Sequence, residues 1–258
     1  MGLIYIPYVS IRMLVDICLP VYNDGKILEE NALRVYEFCR QQDFPFEWRI
    51  VIVVNGSTDN SATVAQDMAS RYDQIHTLVL PNPGRGQALR EAWKKSNADI
   101  VSYMDADLAV DLSFLDPLIT PIINNETDIS IGCRLHSNSE VTRSLGREII
   151  SRSFNVIAQK ILSQPYLDLQ CGFKAIRRSA FNDIYPRLRE NYWFFDTELV
   201  IFSHQLHYRV KEVPVNWQDE RFKDRTSKVR LLKDSISFLK NLWKLRTTLK
   251  QENKNKEV

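Results

Sequence analysis

The stretch IVSYMDADLAVD, residues 100–111, is an apolar run that ends in two aspartates one residue apart. In an extended segment side chains alternate between faces, so Asp105 and Asp107 point the same way and their charges repel. A divalent cation relieves that repulsion. The competing reading is a turn just past a strand, where aspartate is common anyway. The run ahead of the pair has the character of a buried strand, and similar runs recur upstream. LVDICLPV (14–21) and RIVIVV (49–54) are short β-branched runs, each followed by turn residues and a helical pattern; IHTLVLP (75–81) precedes a Gly-bounded helix at 86–96. A further helix follows DLSFLDP. Strands that alternate with helices and are apolar on both faces predict an α/β fold: a mainly parallel, Rossmann-like central sheet with helices on both faces. Ligands of such sheets gather beyond the C-terminal strand ends. The polar clusters fall there: YND after the first strand, NGSTDNS after the second, NPGRGQ after the third and DADLAVD after the fourth.

Downstream the pattern is less regular. TDISIGCR (127–134) and CGFKAIRR (171–178) read as strands, with a long basic amphipathic helix at 142–162 between them. A helix through DTELVIFSHQL and a strand YRVKEVPVNW follow, and a tail helix spans about 229–249. With 258 residues and 44% hydrophobic content the chain suits one large α/β domain or one and a half smaller ones. Lacking repeats or a low-complexity linker, it reads as one domain at 1–220 with an extension at 221–258.

Charge is distributed unevenly. The net charge is only +2, yet residues 221–258 hold 12 Lys/Arg against 4 Asp/Glu, which leaves −6 on residues 1–220. The tail therefore meets something acidic: anionic lipid, nucleic acid or the acidic body of the same protein. A helix there gathers Leu231, Phe238, Leu242, Leu245 and Leu249 on one face, with Ile236, Leu239 and Trp243 beside them and Lys233, Lys240 and Lys244 opposite. Two readings fit, an interfacial membrane helix and a helix packed on the domain or a partner. The apolar N-terminal segment is interrupted by Pro7, Arg12, Asp16 and Pro20, short of the ~20 residues of a span, and it lacks the features of a signal peptide. Cys18, Cys39, Cys133 and Cys171 show no CxxC spacing, which argues against structural zinc and a disulfide scaffold and for a reducing, cytoplasmic setting.

Other motifs admit a site reading and a plain one. Ser57, Thr58 or Asp59 can cap a helix at 61–70, and the same helix start favours an anion such as a nucleotide. GRG at 84–86 is no dinucleotide fingerprint; it is a turn with Arg85 near a phosphate, or an ordinary loop. Arg134, Arg143, Arg147, Arg152, Arg177 and Arg178 suit bidentate phosphate contacts or a solvated surface. Arg147 and Ser151 share a helix face. Trp193, Phe194 and Phe195 read as core or as a pocket wall before Asp196. The four histidines lack metal-ligand spacing, and no GxSxG or cysteine nucleophile motif is present.

Taken in order from about residue 14 to 246, the motifs resemble those of the family 2 glycosyltransferases of GT-A fold, in the polyprenyl-phosphate (dolichyl-phosphate) glucosyl- and mannosyltransferase branch. They are PVYND (20–24), VVNGSTDNS (53–61), NPGRGQAL (82–89), MDADLAVD (104–111), IGCR (131–134), REIIS (147–151), DLQCGFKAIRR (168–178), WFFDTEL (193–199), VKEVPVNW (210–217) and SKVRLLKD (227–234). QCGFK with FDTEL and SKVRLL looks like the dolichyl-phosphate β-glucosyltransferase type. The resemblance implies that Pro20, Tyr22, Asp24, Asn55 and Ser57 hold the nucleoside, with Arg85, Asp105 and Ala106 at the donor. It implies that Asp105 and Asp107 bind Mg²⁺ or Mn²⁺, and that Arg134, Arg147, Ser151 and Lys228 contact donor or acceptor phosphates. Asp107, Arg147 and Asp168 are its catalytic candidates.

The implied reaction is one in-line displacement with inversion, from a nucleotide sugar (UDP-glucose ahead of GDP-mannose) to a polyprenyl phosphate at the inner membrane surface, with no role for nucleic acid. A phosphate, whose second pKa is about 6, is already ionised and needs no base; a hydroxyl acceptor needs a carboxylate, for which Asp168 and Asp196 are candidates. Two positions depart from the family pattern: Val54-Asn55 where two acidic residues often precede Gly-Ser, and Ala109 where mannosyl-type members carry a third polar residue. The rivals are a soluble family 2 transferase acting on a hydroxyl and a non-catalytic membrane scaffold of the same fold.

Overall fold

The computed structural model describes residues 12–142, 145–218 and 231–256. Its first half repeats a strand–helix unit: β1 (Leu14–Val21), α1 (Gly25–Gln41), β2 (Glu47–Asn55), α2 (Ser61–Arg71), β3 (Ile75–Leu80), α3 (Arg85–Lys95) and β4 (Ile100–Met104). These four strands pair in parallel, with β1 between β2 and β4 and with β3 outside β2. The period of two sorts their side chains. Val15, Ile17, Leu19 and Val21, with Ile50, Ile52 and Val54, pack against Leu28, Ala32, Val35 and Met68 on one face. Cys18, Val53, Val101 and Tyr103 pack against Trp93, Phe181 and Phe195 on the other. Each fully buried Val, Leu or Ile contributes about 1.5–3 kcal/mol, and a one-residue slip would turn each of these side chains to the wrong face, so the register is strongly specified.

The second half adds α4 (Leu115–Ile123), β5 (Ile129–Cys133), β6 (Val141–Thr142), α5 (Leu145–Leu162), β7 (Phe173–Arg177), α6 (Arg178–Ile184), α7 (Phe195–Gln205), β8 (Val210–Pro214), β9 (Trp217–Gln218) and α8 (Leu231–Lys256). The main sheet runs β3-β2-β1-β4-β7-β5-β8. β7 is antiparallel to both β4 and β5, while β5 and β8 are parallel. The C-terminal ends of β1, β2, β4 and β5 and the start of β7 therefore lie along one edge of the sheet. Every polar cluster read from the sequence opens on that edge.

The expected strand over 208–217 divides. The pairing with β5 closes with the Val215 N–H donating to Cys133 O at 3.3 Å, and Trp217 then pairs with Val141 to form a separate two-stranded ribbon. That ribbon takes Val141 and Thr142, so the helix expected from 142 begins at Leu145. The tail helix packs on the body: Leu242 and Leu245 are buried, and the Phe238 ring lies 4.9 Å from Phe154 and 5.9 Å from Phe194. Its other side leaves Trp243, Lys240 and Lys244 exposed. Among the described residues, no helix is long and apolar enough to cross a membrane.

Candidate active site

The loops after β1 and β2 are laced together. Asn23 donates its backbone N–H to Ser57 Oγ (3.0 Å) and accepts the Thr58 N–H at its side-chain oxygen (2.7 Å). Asp59 accepts from the Gly25 N–H at 2.9 Å and the Ser61 N–H at 3.0 Å, so of the three candidate caps it is Asp59 that ties the starts of α1 and α2 together. Partial burial works the other way, but these hydrogen bonds hold the Asp59 carboxyl below the usual range. Asn55 is buried; its amide donates to Val21 O at 2.8 Å and accepts the Gly84 N–H at 3.0 Å. Its side chain thus fixes three strand-end loops. Gly56 has φ +64°, and a Cβ there would lie 2.4 Å from the Pro83 nitrogen, so only glycine lets these loops approach. Pro20 pairs with Val53 one residue before β1 ends at Val21 opposite Val54, and Tyr22 and Asp24 follow at the rim.

Behind the DAD motif runs a chain of alternating charge. Arg85 donates from Nη1 to Asp105 (3.1 Å) and from Nη2 to Asp196, and its guanidinium lies 4.4 Å from the Trp193 ring centroid. Asp196 is fully buried, also accepts from the Tyr103 hydroxyl, and forms an ion pair with Lys174 Nζ at 3.1 Å. Lys174, fully buried in β7, donates in addition to Cys171 O. Burial alone disfavours the Arg85 charge, yet Asp196, Tyr103 and Asp105 raise its pKa. Burial and Asp196 push the Tyr103 phenol up, which keeps it a hydrogen-bond donor.

The two aspartates sit on a turn and not on an extended strand. β4 ends at Met104, and the Leu108 N–H donates to Asp105 O at 3.0 Å, so alternation along a strand is not what places them. Asp105 donates its own N–H to Gly172 O at 3.2 Å, and a Cβ on Gly172 would fall 2.1 Å from Asp105 Oδ2. Gly172 is therefore the room in which this carboxylate lies. The Asp105 side chain is 38% exposed on the solvent side. Two carboxylates, one cradled by glycine and open to solvent, suit a hard cation of the Mg²⁺ or Mn²⁺ type, which takes one or two carboxylates and fills its shell with phosphate oxygens and water. Among the described residues, no group of three or more His, Cys, Asp or Glu side chains forms a protein-only metal cage.

At the end of β5 stands a second ion pair. Arg134 Nε and Nη2 bond the two oxygens of Asp168 at 2.7 and 2.9 Å, and its backbone N–H adds a third bond at 3.1 Å. Asp168 is fully buried. Burial alone would raise its pKa, but the Arg134 charge and hydrogen bonds, with Lys174 behind, hold it down to about 2. Glu212 anchors the same loop by accepting the Leu167 and Asp168 N–H groups at 2.9 and 3.0 Å. Burial pushes the Cys171 thiol up to about 12, so it stays protonated beside these charges.

Of the six arginines read from residues 134–178, Arg134 alone is brought to the site with a described side chain. Arg177 donates to Ile122 O, Arg178 to Ala98 O, and Arg152 pairs with Glu148 on the surface. Arg143, Lys228 and the Arg147 side chain lie outside the described residues. Ser151 lies on α5, and its Oγ is buried without a hydrogen-bond partner among the described residues. Ala106 is buried, and its carbonyl accepts from Asn31 Nδ2 at 2.8 Å. The sequence reading missed the part played by Lys174. Its signal was a lysine between the apolar Phe173 and Ala175–Ile176 of FKAIR, where a buried ammonium requires an anion.

Residues 16–185 match the family model described as Glycosyl transferase family 2. Glycosyltransferase AglD of Haloferax volcanii is 30% identical over 90% of this chain, which spans 37% of that relative. Dolichyl-phosphate beta-glucosyltransferase ALG5D of Trichomonas vaginalis is 29% identical over 91% of this chain and 77% of its own length. The dolichyl-phosphate beta-glucosyltransferase of Saccharomyces cerevisiae is 28% identical over 90% and 73%. Among solved structures, glucosyl-3-phosphoglycerate synthase from Mycobacterium tuberculosis in complex with UDP superposes with a TM-score of 0.65 at 19% identity, covering 91% of this chain and 80% of that one. The same synthase with Mn²⁺, UDP-glucose and phosphoglyceric acid gives 0.65 at 17% identity over the same shares.

Proposed function

The chain belongs to glycosyl transferase family 2, and from that premise we propose that it transfers glucose from UDP-glucose to a polyprenyl phosphate at the cytoplasmic face of a membrane, inverting the anomeric carbon. Two relatives named as dolichyl-phosphate beta-glucosyltransferases support the sugar and the lipid phosphate, and the similar fold solved with UDP-glucose supports the donor. The observation that carries the acceptor is the state of Asp168. A hydroxyl acceptor needs a carboxylate free to take a proton near neutral pH, whereas Asp168 is held at about pKa 2 by Arg134. Asp196 is bound on three sides by Arg85, Tyr103 and Lys174, and Glu212 is tied to the backbone. An acceptor already ionised asks only that two anions be brought together and their repulsion neutralised.

In this reading Asp105 and Asp107 would hold a Mg²⁺ or Mn²⁺ ion, which supplies charge neutralisation to the leaving diphosphate. Pro20, Tyr22, Asp24, Asn55 and Ser57 form the nucleoside side, and the lacing of their loops means that little order is lost on binding. Arg85 stands at the donor diphosphate, steadied by Asp196 and Trp193. Arg134 meets the acceptor phosphate with Arg147, Ser151 and Lys228. The pair with Asp168 uses Nε and Nη2 and leaves Nη1 for a ligand, so Asp168 positions Arg134 and takes no proton. Residues 1–220 form the transferase domain, and 221–258 is an extension that lends Lys228 to the acceptor phosphate and steadies the body at the membrane.

The test is incubation with labelled UDP-glucose or GDP-mannose, Mg²⁺ or Mn²⁺, and polyprenyl phosphate, followed by extraction. Label from UDP-glucose is expected in the organic phase as a glucosyl phosphodiester. Transfer to sugar or glycerate hydroxyls with none to the lipid phosphate would overturn the acceptor assignment.

A further inference from the structure

Arg85 opens α3, and the loop of residues 188–194, just ahead of α7, clasps that first turn. Asn191 O accepts the Gln87 N–H at 3.0 Å, the Asn191 side-chain oxygen accepts from Arg90 Nη1 at 3.0 Å, and the Trp193 ring lies against the Arg85 guanidinium. The approach is close: a Cβ on Gly86 would fall 2.8 Å from Glu190 O and 2.9 Å from Tyr192 O. A shift of this loop therefore moves the wall against which Arg85 is set.

Two glutamates give the loop its shape. Glu198, on the first turn of α7, accepts the Arg189 and Glu190 N–H groups, both at 2.8 Å. Glu190 folds back on its own loop, where Oε1 accepts the Asn191 and Tyr192 N–H groups, both at 2.9 Å. Its other oxygen accepts from Asn241 Nδ2 of α8 at 2.6 Å. Hydrogen bonds to an ionised acceptor are roughly twice as strong as neutral ones, so Glu190 is a firm anchor between loop and helix. Beside this bond α8 and the body do not close. A cleft of about 440 Å³, open to solvent, lies there with Arg189, Glu198, Phe202, Lys244 and Thr248 on its walls. At this point helix meets loop through a hydrogen bond and not through continuous packing.

We infer that Glu190 is a positioning residue for the sugar donor, and that α8 sets Arg85 through it. The path is contiguous: Asn241 to Glu190, Glu190 to the backbone of Asn191 and Tyr192, and from there through Asn191 O and Trp193 to the first turn of α3 and Arg85. Leu242 and Leu245 are buried and fix α8, so Asn241 stands on a held element. A guanidinium that must meet a diphosphate while bonded to Asp105 and Asp196 tolerates little displacement. By this contact the C-terminal extension belongs to the donor site. The inference rests on the reading that places Arg85 at the donor diphosphate.

The experiment compares wild type, Asn241→Asp, Asn241→Asp/Glu190→Gln and Arg85→Lys. Asn241→Asp sets a second carboxylate against Glu190. The double variant restores the bond with donor and acceptor exchanged, and its glutamine oxygen still takes the two loop N–H groups. UDP affinity with Mn²⁺ is measured by calorimetry, and kcat and both KM values by transfer to polyprenyl phosphate. Asn241→Asp is expected to weaken UDP and raise the UDP-glucose KM about tenfold, with kcat and the acceptor KM within about twofold of wild type. The double variant is expected to return both to wild-type values. Unchanged UDP affinity in Asn241→Asp, an equal rise in the two KM values, or no recovery in the double variant overturns the proposal. So does a UDP affinity that falls in Asn241→Asp yet is untouched by Arg85→Lys, because the path then bypasses Arg85. Absence of transfer to polyprenyl phosphate by every protein, with the UDP affinities ordered as expected, leaves Glu190 in its role and removes the acceptor assignment instead.

Discussion

Asp168→Asn separates a positioning carboxylate from a general base. The carboxylate is fully buried and takes three N–H groups from Arg134. Its pKa falls from the ordinary 3.8 to about 2, which by linkage is about 2.5 kcal/mol of stability. Because the folded value is the lower one, that stability is present above pH 4 and disappears as the pH falls through about 2. Asparagine keeps the shape but leaves the Arg134 guanidinium, 13% exposed, without its counterion, and breaking a buried pair costs about 3–5 kcal/mol. Urea unfolding at pH 7 should therefore show a loss of about 3 kcal/mol, and the gap from wild type should shrink toward pH 2. Arg134→Leu/Asp168→Leu should recover much of the stability and none of the activity, since replacing both partners by apolar groups is often neutral or better. The rate profile supplies the decisive contrast. A lost general base removes the acid limb and about 10²–10⁴ of kcat. Here the acid limb belongs to the acceptor phosphate, near pH 6 by its second pKa, and should persist in the variant. Unchanged stability at pH 7, or an acid limb that vanishes, would refute this role for Asp168.

Other substitutions probe the neighbouring charges. Gly172→Ala places a methyl group 2.1 Å from Asp105 Oδ2; about tenfold or greater loss of Mn²⁺-dependent UDP affinity is expected by calorimetry, and wild-type affinity would show that the carboxylate needs no cradle. Lys174→Met leaves Asp196 with one cation fewer in a fully buried setting, so thermal unfolding should report a loss of about 3–5 kcal/mol. Arg85→Lys loses the planar stack on Trp193 and the simultaneous reach to Asp105 and Asp196; the UDP-glucose KM should rise and the melting temperature should fall, because the buried Asp196 keeps a weaker partner.

The first four strands are legible in the sequence because β-branched runs of the right length are closed by Asn, Gly, Pro and Asp, and β1 falls at Leu14–Val21 as read. The direction of β7 is not legible, since a local pattern of side chains carries no information about which way a neighbouring strand runs. The break after Pro214 and the ribbon of β6 with β9 likewise depend on partners far along the chain, Ser139 and Cys133 accepting the Val215 N–H at 3.2 and 3.3 Å. At the site, the motifs locate the loops but not their wiring. Asn55 lies among the nucleoside candidates, yet its amide bonds to Val21 and Gly84. Asp168 and Asp196 look alike as candidate bases until their partners are seen. Separations of 111 residues between Arg85 and Asp196, and of 34 between Arg134 and Asp168, are bridged only by the fold.

The most direct test of the site is Mn²⁺ binding followed by electron paramagnetic resonance, with and without UDP, in wild type, Asp105→Ala and Asp107→Ala. Tight Mn²⁺ binding that requires both UDP and the two carboxylates is the predicted result. Equal Mn²⁺ and UDP binding in all three proteins would contradict a metal-assisted transferase and leave the chain a scaffold of that fold.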